Sequence, residues 1–483
     1  MSVDRCFRSR VIAGVIGLSA MVFCVAAAYA FDPLRIDRLV PETPAGDMFG
    51  DRTDVCTFDG LSVPLKLYDA IERAMCNNPK TRQAWANVKV RAAAVGVARA
   101  AYLPTVTGTL QEGRDWTPRY SAGNTLQKSN KPVNQQSANV SLNWVLYDFG
   151  GRSAALENAT ALLAAEQANQ RATLQTVFAT VAKDFYAAQA ALGTLVAARE
   201  IESTARASAD AAAARVENGV ASIADRLQVE TALAQAVVNR TNAQREWKVA
   251  VGVLSTDMNL PPTTELSLPD VGDGVVPDSE FLESVETLIE QARRTYPGVV
   301  AAEAQVAAAR AQAFQTRAEG RPRLSLVGQF NYDKRPNGLQ GGYPDRRETH
   351  RGWYVGVQAT FPIFEGFARR YRTRQAEAQV ELQREKLDET RRRIELDVWN
   401  AYHAVLSATR NLDGSAALLS LAQRSYAAAQ HRYRMGAGNV LELLSAQEAL
   451  ARGKKQRIQA LTDWRSARLQ LAAKLGDIET RVP

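Results

Sequence analysis

Short stretches of the chain alternate apolar and polar residues with the two-residue period of a β-strand. In residues 138–147, Val140, Leu142 and Trp144 point to one face, and the asparagines and serine between them point to the other. Three further segments have this alternation or the residue types typical of a strand: residues 105–111, 323–332 and 353–361. We therefore predict four strands in two pairs. Their loops, rich in glycine, proline and polar residues, are predicted at residues 112–137 and 333–351.

After each strand pair the period changes to apolar residues at every third or fourth position, as in an α-helix. The first such run, residues 152–217, has no proline and would extend about 100 Å at 1.5 Å per residue. Its seam consists of Leu174, Val177, Val181, Phe185, Ala188, Leu192 and Leu195. The second run, residues 369–434, has the seam Leu387, Ile394, Val398, Ala401, Val405 and Leu412. Shorter helices are predicted at residues 64–101 (broken at Asn78-Pro79), 222–256, 279–318 and 440–475.

The chain carries this arrangement twice. Asn78-Pro79 corresponds to Tyr296-Pro297 with an offset of 218 residues. Residues 146–152 correspond to 363–369, and residues 215–219 correspond to 432–436, each with an offset of 217. Such a period is too long for a solenoid unit and indicates two copies of one architectural unit. The predicted division is a signal peptide at 1–30, an irregular segment at 31–63, a first copy at 64–257, a linker at 258–278, a second copy at 279–476 and a tail at 477–483.

The first thirty residues have the composition of a secretory signal peptide. Three arginines precede an apolar run from Val11 to Val25, and Ala28-Tyr29-Ala30 fits a cleavage site. The run is short for a membrane-spanning helix, and an uncleaved anchor is the alternative. Because Cys24 does not follow a lipoprotein motif, we expect no N-terminal lipid.

Two cysteines, Cys56 and Cys76, remain once the signal peptide is removed. Outside the cytoplasm such a pair favours a disulfide, which would join the N-terminal segment to the first helix. Two free or buried thiols are the alternative. Without a nearby histidine the pair makes a poor metal site.

Charge and histidine usage exclude several classes of function. The net charge of +8 falls to +6 when the three arginines and one aspartate of residues 1–30 are removed. The excess is dispersed and forms no stripe typical of nucleic-acid binding. The histidines, His350, His403 and His431, show neither metal-ligand nor nucleophile–base spacing. We therefore expect no enzyme, no cofactor, no metal site and no nucleic-acid partner.

The strand lengths favour a membrane channel. Strands of about ten residues with alternating apolar and small polar side chains suit a barrel wall between lipid and water. A soluble hairpin with its apolar face packed inward fits the same alternation. Because four strands cannot close a barrel and lipid tolerates no open sheet edge, a membrane location requires a ring of copies. The alternative is a periplasmic coiled-coil scaffold or adaptor without a pore.

Taken together, these features resemble the TolC-like outer-membrane efflux proteins. The resemblance rests on the doubled order of Asn78-Pro79, Tyr102-Leu103-Pro104, residues 144–152, and residues 433–436 followed by 440–444. It implies an α+β fold: a homotrimer whose twelve-stranded barrel, four strands per chain, lies in the cell outer membrane and continues into a long α-helical periplasmic barrel. It also implies three kinds of partner: a periplasmic adaptor, an inner-membrane ABC or proton-driven transporter, and outer-membrane lipid.

The same resemblance implies a gate at the periplasmic helix tips. The turns at Gly219, Gly436 and Gly438 lie at these tips, where the tunnel closes. Glu442 is expected to ring the constriction, and a second acid of the family falls on Ser445. Three like carboxylates near one axis would favour cations.

Closure in the family also depends on polar links between the helix pairs. By resemblance, Asp225 and Tyr433 form one link, and its basic residue falls on Gly438. Closure is then weaker, or Arg434 substitutes. Solvated helix charges are the alternative for both acids.

The sequence does not name the cargo, because a wide water-filled tunnel need not recognise what passes through it. The missing lipid-attachment cysteine and the Cys56/Cys76 pair favour type I protein secretion over small-molecule efflux.

Overall fold

A computed structural model describes residues 32–46, 48–49, 56–58, 60–115, 119–121, 127–129, 133–271, 284–337 and 346–476. The predicted signal peptide, the predicted tail and part of the linker lie outside these residues. The described chain divides into two compact units. The first contains residues up to Val40, Lys89–Thr160 and Ala311–Ala376, and the second contains the remainder.

Eight α-helices are found in the described residues, close to the predicted positions. The first copy contains α1 (Leu67–Asn77), α2 (Pro79–Ala100), α3 (Gly151–Glu217) and α4 (Ile223–Asp257). The second copy contains α5 (Val285–Thr295), α6 (Pro297–Ala318), α7 (Ala368–Arg434) and α8 (Val440–Leu475). Pro79 and Pro297 begin α2 and α6, because proline fits a first helical position but disrupts a helix interior. Among the described helices, none combines the length and the hydropathy of a membrane-spanning segment.

The first unit contains an antiparallel sheet of four strands in the order β1-β4-β5-β6. These are β1 (Thr105–Asp115), β4 (Val133–Tyr147), β5 (Arg323–Asn337) and β6 (Arg346–Thr360), and a separate small hairpin joins β2 (Arg119–Ser121) to β3 (Gln127–Ser129).

The loop predictions at 112–137 and 333–351 were wrong at their ends, because the strands continue into them. Glu112 lies opposite Gln136, and the Gln136 amide donates a hydrogen bond to the Glu112 carboxylate over 3.0 Å. Backbone pairing and such polar cross-strand contacts extend the ladder after the apolar alternation has ended.

The register places the apolar residues of all four strands on one face. Val106 lies opposite Leu142, Trp144 opposite Leu326, and Leu326 in turn opposite Val357. The other face carries Thr107, Ser141, Gln329, Asn331 and Gln358. Much of the apolar face is exposed in the single chain, so it is not the inner face of a soluble hairpin. The outer edges of β1 and β6 have no paired strand among the described residues.

The second unit is helical, and its core follows the predicted seams. Leu174, Val181, Phe185, Ile394 and Val398 are all buried. The core around α3 also contains residues from α1 and from the N-terminal segment. There, Cys56 and Cys76 form a disulfide with a Cα–Cα distance of 5.5 Å.

Candidate functional site at the helix tips

The α3–α4 turn is built from a glycine and a capping box. Gly219 has φ +72°, a conformation that side-chain-bearing residues rarely adopt. Ser222 caps α4: the Asp225 N–H donates to its Oγ over 3.1 Å, and the Ser222 N–H donates to Asp225 Oδ2 over 3.3 Å. The Asp225 carboxylate therefore stabilises the start of its own helix.

The α7–α8 turn repeats this design with different residues. Gly436 has φ +77°, and the Asn439 side chain caps α8 by accepting the Glu442 N–H over 2.8 Å. At Gly438 a Cβ would lie 3.1 Å from the Tyr433 backbone nitrogen and 3.2 Å from the Arg432 carbonyl carbon. The turn therefore has little room for a side chain at the position where the resemblance places a basic residue.

Glu442 is paired across this turn with Arg432. Arg432 Nη1 lies 3.3 Å from Glu442 Oε1, and both side chains are partly exposed. Arg432 therefore places a positive charge beside Glu442, the acid predicted to line the constriction in each chain. An exposed pair of this kind contributes little to stability, but it reduces the local negative charge.

Tyr433 makes a different contact from the one expected. Its side chain is buried, at 6 % exposure, and its hydroxyl has no hydrogen-bond partner among the described residues. No bond joins this hydroxyl to Asp225 in the chain described. Instead, Arg215 Nη1 donates to the Tyr433 carbonyl oxygen over 2.7 Å, and its guanidinium lies 4.8 Å from the Tyr433 ring centre. Arg215 thus joins α3 of the first copy to α7 of the second by a charge-assisted hydrogen bond and a cation–π contact.

An apolar cluster lies beside this contact. It contains Ala209, Ala212, Val229, Tyr433, Val440 and Leu443, which come from all four long helices. Glu442 and Tyr433, both predicted to belong to a gate, are therefore brought close to the junction of the two helix pairs, whereas Asp225 is engaged in its own cap.

Sequence reasoning missed Arg215, although the repeat contained a signal for it. Arg215 and Arg432 occupy equivalent positions 217 residues apart, each four residues before a turn glycine. Arg432 pairs within its own copy, and Arg215 reaches the other copy. Over the described ranges, no group of three or more histidine, cysteine or acidic residues could hold a metal ion.

A protein-family model described as "Outer membrane efflux protein" matches residues 70–256 and 288–477, which correspond to the two copies. Protein CyaE of Bordetella pertussis is 31% identical over 422 residues, covering 86% of this chain and 84% of that protein. The pyoverdine export outer membrane protein OpmQ of Pseudomonas aeruginosa is 27% identical over 435 residues, covering 85% of this chain and 84% of that protein.

Solved structures of outer-membrane channels share this fold over most of the chain. The Campylobacter jejuni CmeC outer membrane channel superposes with a TM-score of 0.72 at 16% identity, covering 85% of each chain. At this identity the match establishes a shared fold and no more.

Proposed function

The chain belongs to the outer membrane efflux protein family, and we propose that three copies of it close one twelve-stranded barrel in the outer membrane. The observation that carries this proposal is the four-stranded sheet, which has an exposed apolar face, a polar face and two edges that no described strand pairs with. In lipid, unpaired backbone groups at a sheet edge are too costly to persist, so β6 of one copy pairs with β1 of the next.

The protein is an outer-membrane exit duct of a tripartite export system, with a long periplasmic extension. A periplasmic adaptor and an inner-membrane transporter are its working partners, and the outer-membrane lipid surrounds its barrel. It acts as a passive tunnel and has no catalytic role.

The tunnel is gated at the helix tips, with Arg215 and Tyr433 as its central contact. Moving the α7–α8 pair away from the α3–α4 pair breaks the bond from Arg215 to the Tyr433 carbonyl and separates the guanidinium from the ring. Opening therefore needs a partner that binds the open tips more tightly than the closed ones. Glu442 gives each chain one acid near the constriction, partly offset by Arg432, so cation selectivity is modest.

Single-channel recording in planar bilayers tests this gate. Arg215→Gln removes the contact and is expected to raise the resting conductance. Tyr433→Phe is expected to leave it unchanged, because the hydroxyl has no partner and the ring and carbonyl remain. Arg206→Gln is the matched control, because Arg206 lies on the same helix and pairs only with Glu202 of that helix in the contacts described.

Two results would contradict the gate as proposed. One is a Tyr433→Phe channel that opens as far as the Arg215→Gln channel, which would favour a hydroxyl link. The other is an Arg215→Gln channel with the same resting conductance as the control. Asp225→Asn is expected to loosen the α4 cap and to change conductance less than Arg215→Gln.

The proposed cargo is a protein, delivered by an ABC transporter in type I secretion. Support comes from the Cys56–Cys76 disulfide in the N-terminal segment and from the lack of a lipoprotein motif before Cys24. The second candidate is a small molecule, which similarity to the OpmQ proteins favours.

Deletion of the gene separates the two cargo classes. Protein secretion predicts that a polypeptide disappears from the culture fluid and returns on complementation. Small-molecule export predicts an unchanged set of secreted proteins together with retention of a low-mass compound in the periplasm.

A further inference from the structure

The connection from β6 to α7 exposes large apolar side chains at the end of the sheet. Ile363 is 94 % exposed, Phe364 73 % and Phe367 69 %. The rings of Phe364 and Phe367 pack edge to face with centroids 5.6 Å apart. This group directly follows Thr360, the last residue of β6.

The first two turns of α7 add a basic face. Arg370, Tyr371 and Arg374 lie on one side of the helix, because their spacings of one and four residues keep them within about 100°. All three are exposed, and Arg370 and Arg374 have no ion pair within the described chain. We call these three residues, with Ile363, Phe364 and Phe367, the aromatic–basic face.

The neighbouring residues Arg369 and Arg372, in contrast, bind groups of the strand–helix junction. Arg369 donates to the Gly320 carbonyl oxygen over 3.0 Å, and Arg372 Nη1 lies 3.4 Å from Glu365 Oε2. These two hold the strand–helix junction together, whereas Arg370 and Arg374 do not contribute to it.

The first copy shows that the fold does not require this face. The positions 217 residues earlier, equivalent to Arg370, Tyr371 and Arg374, hold Ser153, Ala154 and Glu157. In both copies a strand nevertheless leads into a long helix, through residues 148–150 in the first copy and 361–367 in the second. Arg370, Tyr371 and Arg374 are therefore found in the second copy alone, whereas exposed aromatic rings also lie at the end of β4 in the first copy, at Tyr147 and Phe149.

The charge of this region calls for an anionic partner. Residues 317–323 and 362–374 contain seven arginines and two glutamates. A second copy of the chain does not complement them well. The segment that would adjoin β6 from a neighbouring copy, residues 99–105 at the start of β1, contains one arginine and no carboxylate.

We propose that the aromatic–basic face binds anionic phospholipid, such as phosphatidylglycerol, in the leaflet nearest the helices. Exposed aromatic rings beside unpaired arginines suit the boundary between acyl chains and headgroups, where rings enter the apolar layer and guanidinium groups bind phosphate. The inference rests on the location of the sheet in the outer membrane.

The test measures phospholipid binding by the full mature protein, purified in detergent and stripped of lipid. Native mass spectrometry gives the apparent Kd for phosphatidylglycerol and for phosphatidylethanolamine. The test variant is Arg370→Gln with Arg374→Gln. Its control is Arg384→Gln with Arg392→Gln, which removes the same charge farther along α7 from residues that also lack a described ion pair.

Wild type and control are expected to prefer phosphatidylglycerol, and the test variant to bind it about 25-fold more weakly, at roughly fivefold for each arginine. Equal affinity for the two lipids, or equal binding by both variants, would overturn the proposal. Loss of oligomers in the test variant at every lipid concentration would also overturn the proposal, because it would indicate that the aromatic–basic face binds a second copy of the chain. Planar-bilayer conductance of the test variant is measured in parallel. A variant that still conducts ions shows that the channel is intact, so a failure of the lipid proposal is then distinct from a failure of the proposed channel.

Discussion

Substitution of Val357 by arginine tests whether the apolar sheet face meets lipid. Val357 lies near the middle of the apolar positions of β6 and is 60 % exposed in the single chain. Its neighbour Gln358 is also exposed but points to the polar face. The two positions lie on one strand, at nearly the same depth and on opposite faces, so Gln358→Arg is the matched control.

The expected magnitudes differ clearly. For an exposed residue in water, substitution changes the free energy of unfolding by about 0.5 kcal/mol or less. An arginine on the lipid face near the bilayer midplane lowers it by about 2–4 kcal/mol. Within the described chain no side chains cover Val357 enough to bury it, so the larger value requires an apolar surrounding outside the chain, which lipid provides.

The assay is urea unfolding of the protein reconstituted in phospholipid vesicles, followed by loss of the proposed trimer on unheated gels. We expect Val357→Arg to lower the free energy of unfolding by about 2–4 kcal/mol and Gln358→Arg to change it by less than about 1 kcal/mol. Equal effects of the two substitutions would refute the assignment of this face to lipid.

Three further predictions concern the helical unit. Replacing Cys56 and Cys76 with serine should lower the free energy of unfolding by about 3 kcal/mol, from the entropy of a loop of about 20 residues, and reductant should reproduce this loss only in wild type. Burial and then the neighbouring Asp184 carboxyl raise the pKa of Asp257 to about 7. The folded protein then holds this proton more tightly than the unfolded chain, so stability falls as pH rises from about 4 to 7. In chemical denaturation Asp257→Asn should be more stable than wild type at pH 8 and equal to it near pH 4. The expected gain in the free energy of unfolding at pH 8 is only roughly 1 kcal/mol, because solvent screens the half-buried carboxylate. A variant less stable than wild type at pH 8 would contradict this. Gly436→Ala should lower the free energy of unfolding by about 1 kcal/mol, since no atoms clash and only the positive φ of +77° opposes the Cβ; an unchanged melting curve would argue against that turn.

The helices were predictable because proline, glycine and the apolar period mark their ends directly. Pro79 and Gly219 bound elements within a residue or two of the predicted positions. The outer strand ends were not predictable, because at residues such as Glu112 and Gln136 both faces carry polar groups and the two-residue alternation disappears. Backbone pairing, which one strand's sequence does not encode, decides the strand length there.

The tip contacts show a similar limit. The family resemblance predicts Tyr433 and Glu442 as gate residues, and both lie at the junction of the helix pairs. It cannot reveal that the Tyr433 carbonyl and ring, not the hydroxyl, make the interhelical contact. Nor does the pattern indicate Arg215 directly, because an arginine near a helix end is most simply explained by the helix dipole.

The central claim, that neighbouring copies seal the β1 and β6 edges in a closed ring of three, is tested most directly by cysteine cross-linking in outer membranes. Thr107→Cys on β1 and Gln358→Cys on β6 lie on the polar face of the two edge strands, two residues from the ends that meet the helices. A bifunctional maleimide that spans about 10 Å, roughly two strand spacings, tolerates small differences in register. The account predicts bands of one, two and three chains and nothing larger. Uncross-linked single chains only, or a ladder that continues beyond three, would contradict it.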